Sequence, residues 1–280
     1  MSSTLLAVLL SSVSAQPRYL VFGAKSQRWI AIEARALRVE PLTFPAPFKP
    51  EGVALSRDGK VIIFTAFHPP ANNVLLFRWD RSSSEPPVSI GDDRGYHSDP
   101  TISDDGQWVY FAHNPFAFGP PGQHQDRAFA QLYRVQLNGT GLEPLTDENG
   151  CHLGPTNASA EQVFYLHTNC RGNRTLRIFD LKKSISVDLQ KYGFDFSEPC
   201  TSPDQKAMLV SFGVGDSGAI AEIDLRSLQM RTLVRVGQAA PPLRPQYGTK
   251  RRDIFYQARG TVWLAGGKST QRIAEFLGAP

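Results

Sequence analysis

The stretch Pro100-Thr101-Ile102-Ser103-Asp104-Asp105-Gly106-Gln107-Trp108-Val109-Tyr110-Phe111 decides the fold, because it recurs. Upstream, Val53-Ala54-Leu55-Ser56-Arg57-Asp58-Gly59-Lys60-Val61-Ile62-Ile63-Phe64 matches it in register. Downstream, weaker copies run from Pro155 to Leu166 and from Pro199 to Val210, and a degenerate one from Pro245 to Tyr256. Tyr19-Leu20-Val21-Phe22 is a truncated first copy. The last apolar position of each copy falls at 22, 64, 111, 166, 210 and 256, giving intervals of 42, 47, 55, 44 and 46. Repeats of this length built from short strands are the signature of propeller blades.

Each unit reads as four strands. The first runs into a Ser-x-Asp-Gly turn, where glycine supplies the positive φ of a tight hairpin. The second is the alternating segment after that turn. The third covers Trp29–Glu33, Val74–Asp80, Gln131–Leu137, Leu176–Leu181, Ala219–Leu225 and Thr261–Ala265, and a short fourth follows each. The expectation is an all-β chain, a six-bladed β-propeller of four-stranded antiparallel blades forming one domain over residues 16–280. Five full blades plus a partial first one is the alternative, because little chain precedes Tyr19 to supply an innermost strand.

Composition agrees with this reading. The 280 residues are 41 % hydrophobic and include 23 Gly and 21 Pro in short clusters, which suits many turns between short strands and excludes a disordered chain. No run approaches the roughly 20 apolar residues of a membrane-spanning helix. The net charge of +4 is small and, apart from Lys250-Arg251-Arg252, scattered, so no nucleic-acid partner is expected. Three cysteines are too few for a disulfide-built scaffold.

The pattern Pro-x-x-Ser-x-Asp-Gly-x-x-Val-x-Phe, followed by Leu-Tyr-x-x-x-Leu and Pro-Leu-Thr, resembles the TolB-type β-propeller repeat over essentially residues 17–280. The resemblance implies a propeller alone, without the N-terminal α/β domain of TolB proper. It also implies a cell-envelope protein partner, since the corresponding face of TolB receives the peptidoglycan-associated lipoprotein. Similar repeats form the propeller of prolyl-oligopeptidase-type peptidases, but no hydrolase domain of that kind is expected in these 280 residues.

Leu5–Leu10 is a short apolar run followed by small residues, with Val13 and Ala15 spaced as at a signal-peptidase site, so residues 1–15 are read as a signal peptide and the mature chain as periplasmic or secreted. A frayed N-terminal strand is the alternative. Cys151 and Cys170 flank a hairpin whose turn centres near Ala160-Glu161, and in a regular antiparallel pair they would face each other, so a disulfide between them is expected to be possible. Cys200 is left over as a small buried residue.

Candidate chemistry comes from stacking the repeats. The position immediately before each repeat holds Gly52, Asp99, Gly154, Glu198 and Arg244, and two residues earlier stand Pro50, His97, His152, Phe196 and Pro242. The segment leading into each innermost strand lies at one mouth of a propeller channel. Two carboxylates, an arginine and histidines His97 and His152 are therefore expected to converge there, joined by His113 from the end of a second strand. Such a set suits a protein or peptide ligand. It could also hold a divalent metal or act as acid and base on a sugar or lactone, as in propeller hydrolases and lyases. A wet channel mouth, with Arg244 neutralising Glu198 or Asp99, is the plainer reading. No cofactor is otherwise expected. No Gly-x-Ser-x-Gly, His-Glu-x-x-His or phosphate loop occurs, and Gly215-Asp216-Ser217-Gly218 reads as a turn. The long insertion Asn114–Ala130 carries Phe116, Phe118 and His124, residues for a partner-binding lip at the rim or for packing on neighbouring blades. Asn138, Asn157 and Asn173 begin glycosylation patterns.

Overall fold

The computed structural model describes residues 18–23, 28–33, 37–116, 129–147, 150–156, 161–168, 174–188, 196–214, 217–237, 244–248, 251–258, 261–266 and 269–275. Among them 23 strands form one three-stranded sheet, one eight-stranded sheet and three four-stranded sheets. The eight-stranded sheet is two antiparallel units joined by a single parallel pair, Val74 with Tyr96. Splitting it there leaves six successive antiparallel units.

The first unit contains Arg18–Gly23, Arg28–Glu33 and Arg38–Leu42. The second contains Pro50–Leu55, Val61–His68, Asn73–Asp80 and Val88–Ser89. The third contains Tyr96–Ile102, Trp108–Asn114, Gln131–Gln136 and Glu143–Pro144. The fourth is Cys151–Thr156, Gln162–Thr168, Thr175–Asp180 and Ile185–Asp188. The fifth is Phe196–Thr201, Ala207–Val214, Ser217–Asp224 and Met230–Val236. The sixth is Gln246–Tyr247, Asp253–Ala258, Thr261–Gly266 and Ser269–Glu275.

One side-chain device sets the first hairpin of three units, the second, third and fifth. Ser56 Oγ donates to Asp58 Oδ1 at 2.7 Å, the Lys60 N–H donates to the same oxygen, and the Val61 N–H donates to Ser56 Oγ at 2.9 Å. Gly59 completes the turn at φ 74°. Ser103, Asp105 and Gly106 repeat the arrangement in the third unit. In the fifth, Ser202 and Asp204 do so with Gln205 in the glycine position at φ 56°. The carboxylate and hydroxyl satisfy turn N–H groups that a strand partner cannot reach, which fixes the register of the strands on either side.

The alternating apolar residues meet in six buried clusters among the described residues, one between each pair of successive units. Phe64 and Phe77 of the second unit pack on Trp29 and Leu42 of the first. The last cluster carries the pattern round, with Tyr19 and Ile32 of the first unit against Phe255 and Val262 of the sixth. Tyr19 and Phe255 stack at 5.3 Å between ring centroids. Every unit thus buries both faces against its neighbours, which is why a single unit has no core of its own. This arrangement is a β-propeller, with the described strands and sequence repeats in register. No helix among the described residues is long and apolar enough to cross a membrane.

Candidate functional site

The innermost strands enclose a cavity of about 490 Å³, lined by residues of all six units. Its size lies within the roughly 300–1,000 Å³ of ligand pockets. The column read from the sequence is here, since Gly52, Asp99, Gly154, Glu198 and Arg244 all line it.

A shared backbone irregularity aims these residues inward. In the third unit Ser98 pairs with Ala112 and Thr101 with Tyr110, so Asp99 and Pro100 together face one residue. The same extra residue occurs at Gly154-Pro155 and at Glu198-Pro199. These are β-bulges, and proline suits them because the position that loses its ladder partner has no N–H to leave unpaired. The residue before each proline turns left-handed: φ is 51° at Asp99, 54° at Gly154, 49° at Glu198 and 44° at Arg244. Glycine takes that conformation freely, whereas for an ordinary L-residue it costs about 1–2 kcal/mol. Three charged side chains are therefore held where glycine would be more comfortable, and such strain collects at functional positions. In the second unit the extra residue falls at Glu51, between Pro50 and Gly52. A Cβ on Gly52 would lie 2.8 Å from Pro100 Cδ, so close approach of the third unit excludes a side chain there.

The charges form a loose network. Arg244 Nε lies 3.8 Å from Glu198 Oε1, with both side chains partly exposed. Asp99 Oδ2 accepts from the Gly154 N–H at 3.3 Å, bridging the third and fourth units. Burial raises the Glu198 carboxyl above the ordinary range; Arg244 and Arg174 oppose the rise and the charge of Asp99 adds to it. Tyr96 donates its hydroxyl hydrogen to Glu51 Oε2 at 2.8 Å. The first unit contributes Trp29, whose indole N–H donates to the Pro50 carbonyl at 3.1 Å and whose ring lies 5.9 Å from the Arg244 guanidinium. Tyr19 donates its hydroxyl hydrogen to the Arg244 carbonyl at 2.8 Å. At the other end of the innermost strands the turn tips approach one another, and Gln205 Nε2 donates to Asp104 Oδ2 at 2.8 Å. The cavity lining thus includes three carboxylates, two guanidiniums and an indole. It can engage a ligand bearing both signs of charge.

The histidines are elsewhere. His97, His113 and His152 are buried within the stack of units and do not line the cavity. His97 and Asp99 are two residues apart and would share a face in a regular strand. The left-handed turn at Asp99 breaks the alternation, so the carboxylate faces the cavity while the imidazole stays between sheets. Among the described residues no three His, Cys, Asp or Glu side chains are grouped closely enough to hold a metal ion.

Cys151 pairs across the hairpin with Thr168 rather than standing opposite position 170: Thr156 faces Phe164, one residue short of the expected register, and the bulge at Gly154-Pro155 shifts it by one more. Cys151 is disulfide-bonded, and Cys170 lies outside the described residues. Cys200 is a free cysteine on the cavity wall, its thiol pushed up to about 11 mainly by burial and thereby kept protonated. Phe116 is 66 % exposed with its ring 5.9 Å from Phe129, while Phe118 and His124 lie outside the described residues, as do Gly215 and Asp216. Sequence reasoning missed Glu51, Arg174 and Trp29. Glu51 had a signal, as an acid one residue before the column in the one unit whose bulge starts at that point.

No protein-family model matches this sequence, and no curated protein does. Solved structures match it well. TolB from Acinetobacter baumannii superposes with a TM-score of 0.66 at 13 % identity, over 91 % of this chain and 60 % of that one. A chain of the nidogen/laminin complex gives 0.62 at 10 % identity, over 88 % and 87 %. Oligogalacturonate lyase in complex with manganese gives 0.62 at 12 % identity, over 89 % and 70 %. The chain spans 60 % of the length of that TolB. At such identities the likeness carries the architecture and nothing finer. The fold of this chain is a β-propeller like that of TolB.

Proposed function

We propose that this protein is an exported, non-catalytic six-bladed propeller that takes a protein or peptide segment into its central cavity. The observation that carries the reading is the convergence of Asp99, Glu198 and Arg244 from three units on one cavity, each on left-handed backbone. Charge of both signs around an apolar wall suits a polypeptide, which offers ammonium, guanidinium and carboxylate groups along one strand. Export with loss of residues 1–15, and a periplasmic or secreted location, fit the disulfide state of Cys151, for which Cys170 is the proposed partner. An envelope lipoprotein is the partner that the likeness to TolB suggests.

The second reading is a metal-dependent lyase or hydrolase acting on a sugar or lactone. It is favoured by the fold shared with oligogalacturonate lyase in complex with manganese and by a protonatable Glu198 beside two arginines. Elemental analysis of the purified protein after dialysis against calcium, manganese or zinc separates the two. Less than a tenth of an equivalent of each metal is expected. Stoichiometric metal lost in an Asp99→Ala/Glu198→Ala variant overturns the first reading in favour of the second.

A further inference from the structure

The two histidine pairs occupy a place that is apolar in other units. The position three residues before each repeat faces the end of the second strand, and in the fifth unit this is Phe196 opposite Phe212, with ring centroids 6.3 Å apart. In the second unit it is Pro50 opposite Ala66. In the third it is His97 opposite His113, stacked at 4.6 Å and 23°. In the fourth it is His152 opposite His167, at 4.9 Å. Imidazole takes the place of an aromatic or aliphatic pair in two consecutive units.

The first of these pairs sits on the seam of the eight-stranded sheet. There the Val74 N–H donates to the Gly95 carbonyl at 3.3 Å, and His97 Nδ1 lies 2.9 Å from the Val74 carbonyl. A carbonyl can only accept, so Nδ1 carries the hydrogen and the lone pair of His97 is on Nε2. Both His97 Nε2 and His113 Nδ1 are buried and find no hydrogen-bond partner among the described residues. The pair is 0 % and 2 % exposed and is flanked by the Phe111 and Tyr133 rings. The charged groups that face it are Asp92 and Arg94, from the loop before Tyr96–Ile102.

We propose that the His97–His113 pair is an acid-sensitive latch on the seam between the second and third units. As neutral imidazoles the rings pack as an aromatic pair, and charging either one drives the seam apart. A proton on His97 Nε2 would place a charged N–H where nothing accepts it, against a ring it already stacks on. Burial holds His97 down at about 3, with repulsion from His113 adding to the effect. Burial likewise holds His113 down at about 4, where Arg94 adds to the depression and Asp92 opposes it. Unfolded histidine titrates near 6.5, so the unfolded chain takes up protons first as pH falls. The stability lent by the neutral pair is complete above about 6.5 and is lost progressively below it.

With these values, the pair alone raises the unfolding constant by about 500-fold between pH 7 and pH 5, some 20- to 25-fold for each imidazole. The test is urea unfolding at both pH values for the wild type and for a His97→Phe/His113→Phe variant patterned on Phe196 and Phe212. Other titrating groups act equally in both proteins. The wild-type ratio is expected to exceed that of the variant by about two orders of magnitude or more, and an excess below about tenfold overturns the latch. Should the variant not fold, imidazole NMR of the wild type decides. Both rings are expected to be neutral at pH 5 in the folded protein, and either one charging with a midpoint near 6.5 overturns the proposal.

Discussion

Replacing Glu198 by glycine and by alanine separates the backbone from the charge. Both variants remove the carboxylate and its 3.8 Å pairing with Arg244, which is partly exposed and therefore contributes only about 0.2–1 kcal/mol. They differ by one Cβ at φ 49°. The left-handed backbone costs alanine about 1–2 kcal/mol, and glycine loses about 0.5–1 kcal/mol more chain entropy on folding, so glycine is expected to be the more stable by about 0.5–1 kcal/mol. For a chain of this size that difference amounts to a melting temperature about 2 °C higher. Urea unfolding at pH 7, followed by two probes with coincident transitions, measures it. Thr101 is the internal control, in an innermost strand and without positive φ. There the order is expected to reverse, with alanine ahead by about 0.5–1 kcal/mol. If alanine at position 198 equals or exceeds glycine, the strained backbone is not real. The argument that the charge is held against a stability cost then fails with it.

Glu222 is 10 % exposed and accepts from Tyr247, Arg251 and Arg231 at 2.9, 3.0 and 3.1 Å, joining the fifth and sixth units. Burial pushes its carboxyl up, but the hydrogen bonds from Arg251 and Tyr247 and the arginine charges outweigh this and hold it below the ordinary range. Glu222→Gln is expected to lose about 2 kcal/mol at pH 7 by urea unfolding. The wild-type advantage should be full above the unfolded carboxylate value and fade as pH falls through the lower folded one. Gly52→Ala forces a contact of 2.8 Å with Pro100 and 3.1 Å with Thr65 Oγ1. A loss of about 1–3 kcal/mol is expected, and a double-mutant cycle with Pro100→Ala should recover part of it.

The sheet pattern was legible because each unit repeats one turn and one alternation. Ser56-Arg57-Asp58-Gly59 and Ser103-Asp104-Asp105-Gly106 fold through the same hydrogen bonds that the sequence spacing implies. Third strands expected at Val74–Asp80 and Gln131–Leu137 are found at Asn73–Asp80 and Gln131–Gln136. The column Asp99, Glu198 and Arg244 was legible for the same reason, as one position read down the repeats. What stayed hidden depends on the bulges. A period of two predicts that His97 accompanies Asp99, and one extra residue in the strand undoes it; a regular hairpin puts Cys151 opposite position 170, and a bulge together with a pairing that starts one residue short moves it to Thr168. Arg174 and Trp29 reach the cavity from other strands and segments, where no repeat register points to them.

The most direct test of the cavity as a polypeptide site is Arg244→Glu. It places a third carboxylate beside Glu198 and Asp99 while leaving the Tyr19 bond to the backbone carbonyl in place. Wild type and variant are used side by side to capture partners from the exported fraction of the source cells, and the captured protein is then purified and titrated calorimetrically against both. The expected result is a single specific partner whose Kd rises at least about tenfold with Arg244→Glu while the melting temperature of the propeller falls by no more than about 4 °C, the cost of losing a partly exposed ion pair. Equal affinity for both proteins would contradict the assignment of the cavity as the binding site.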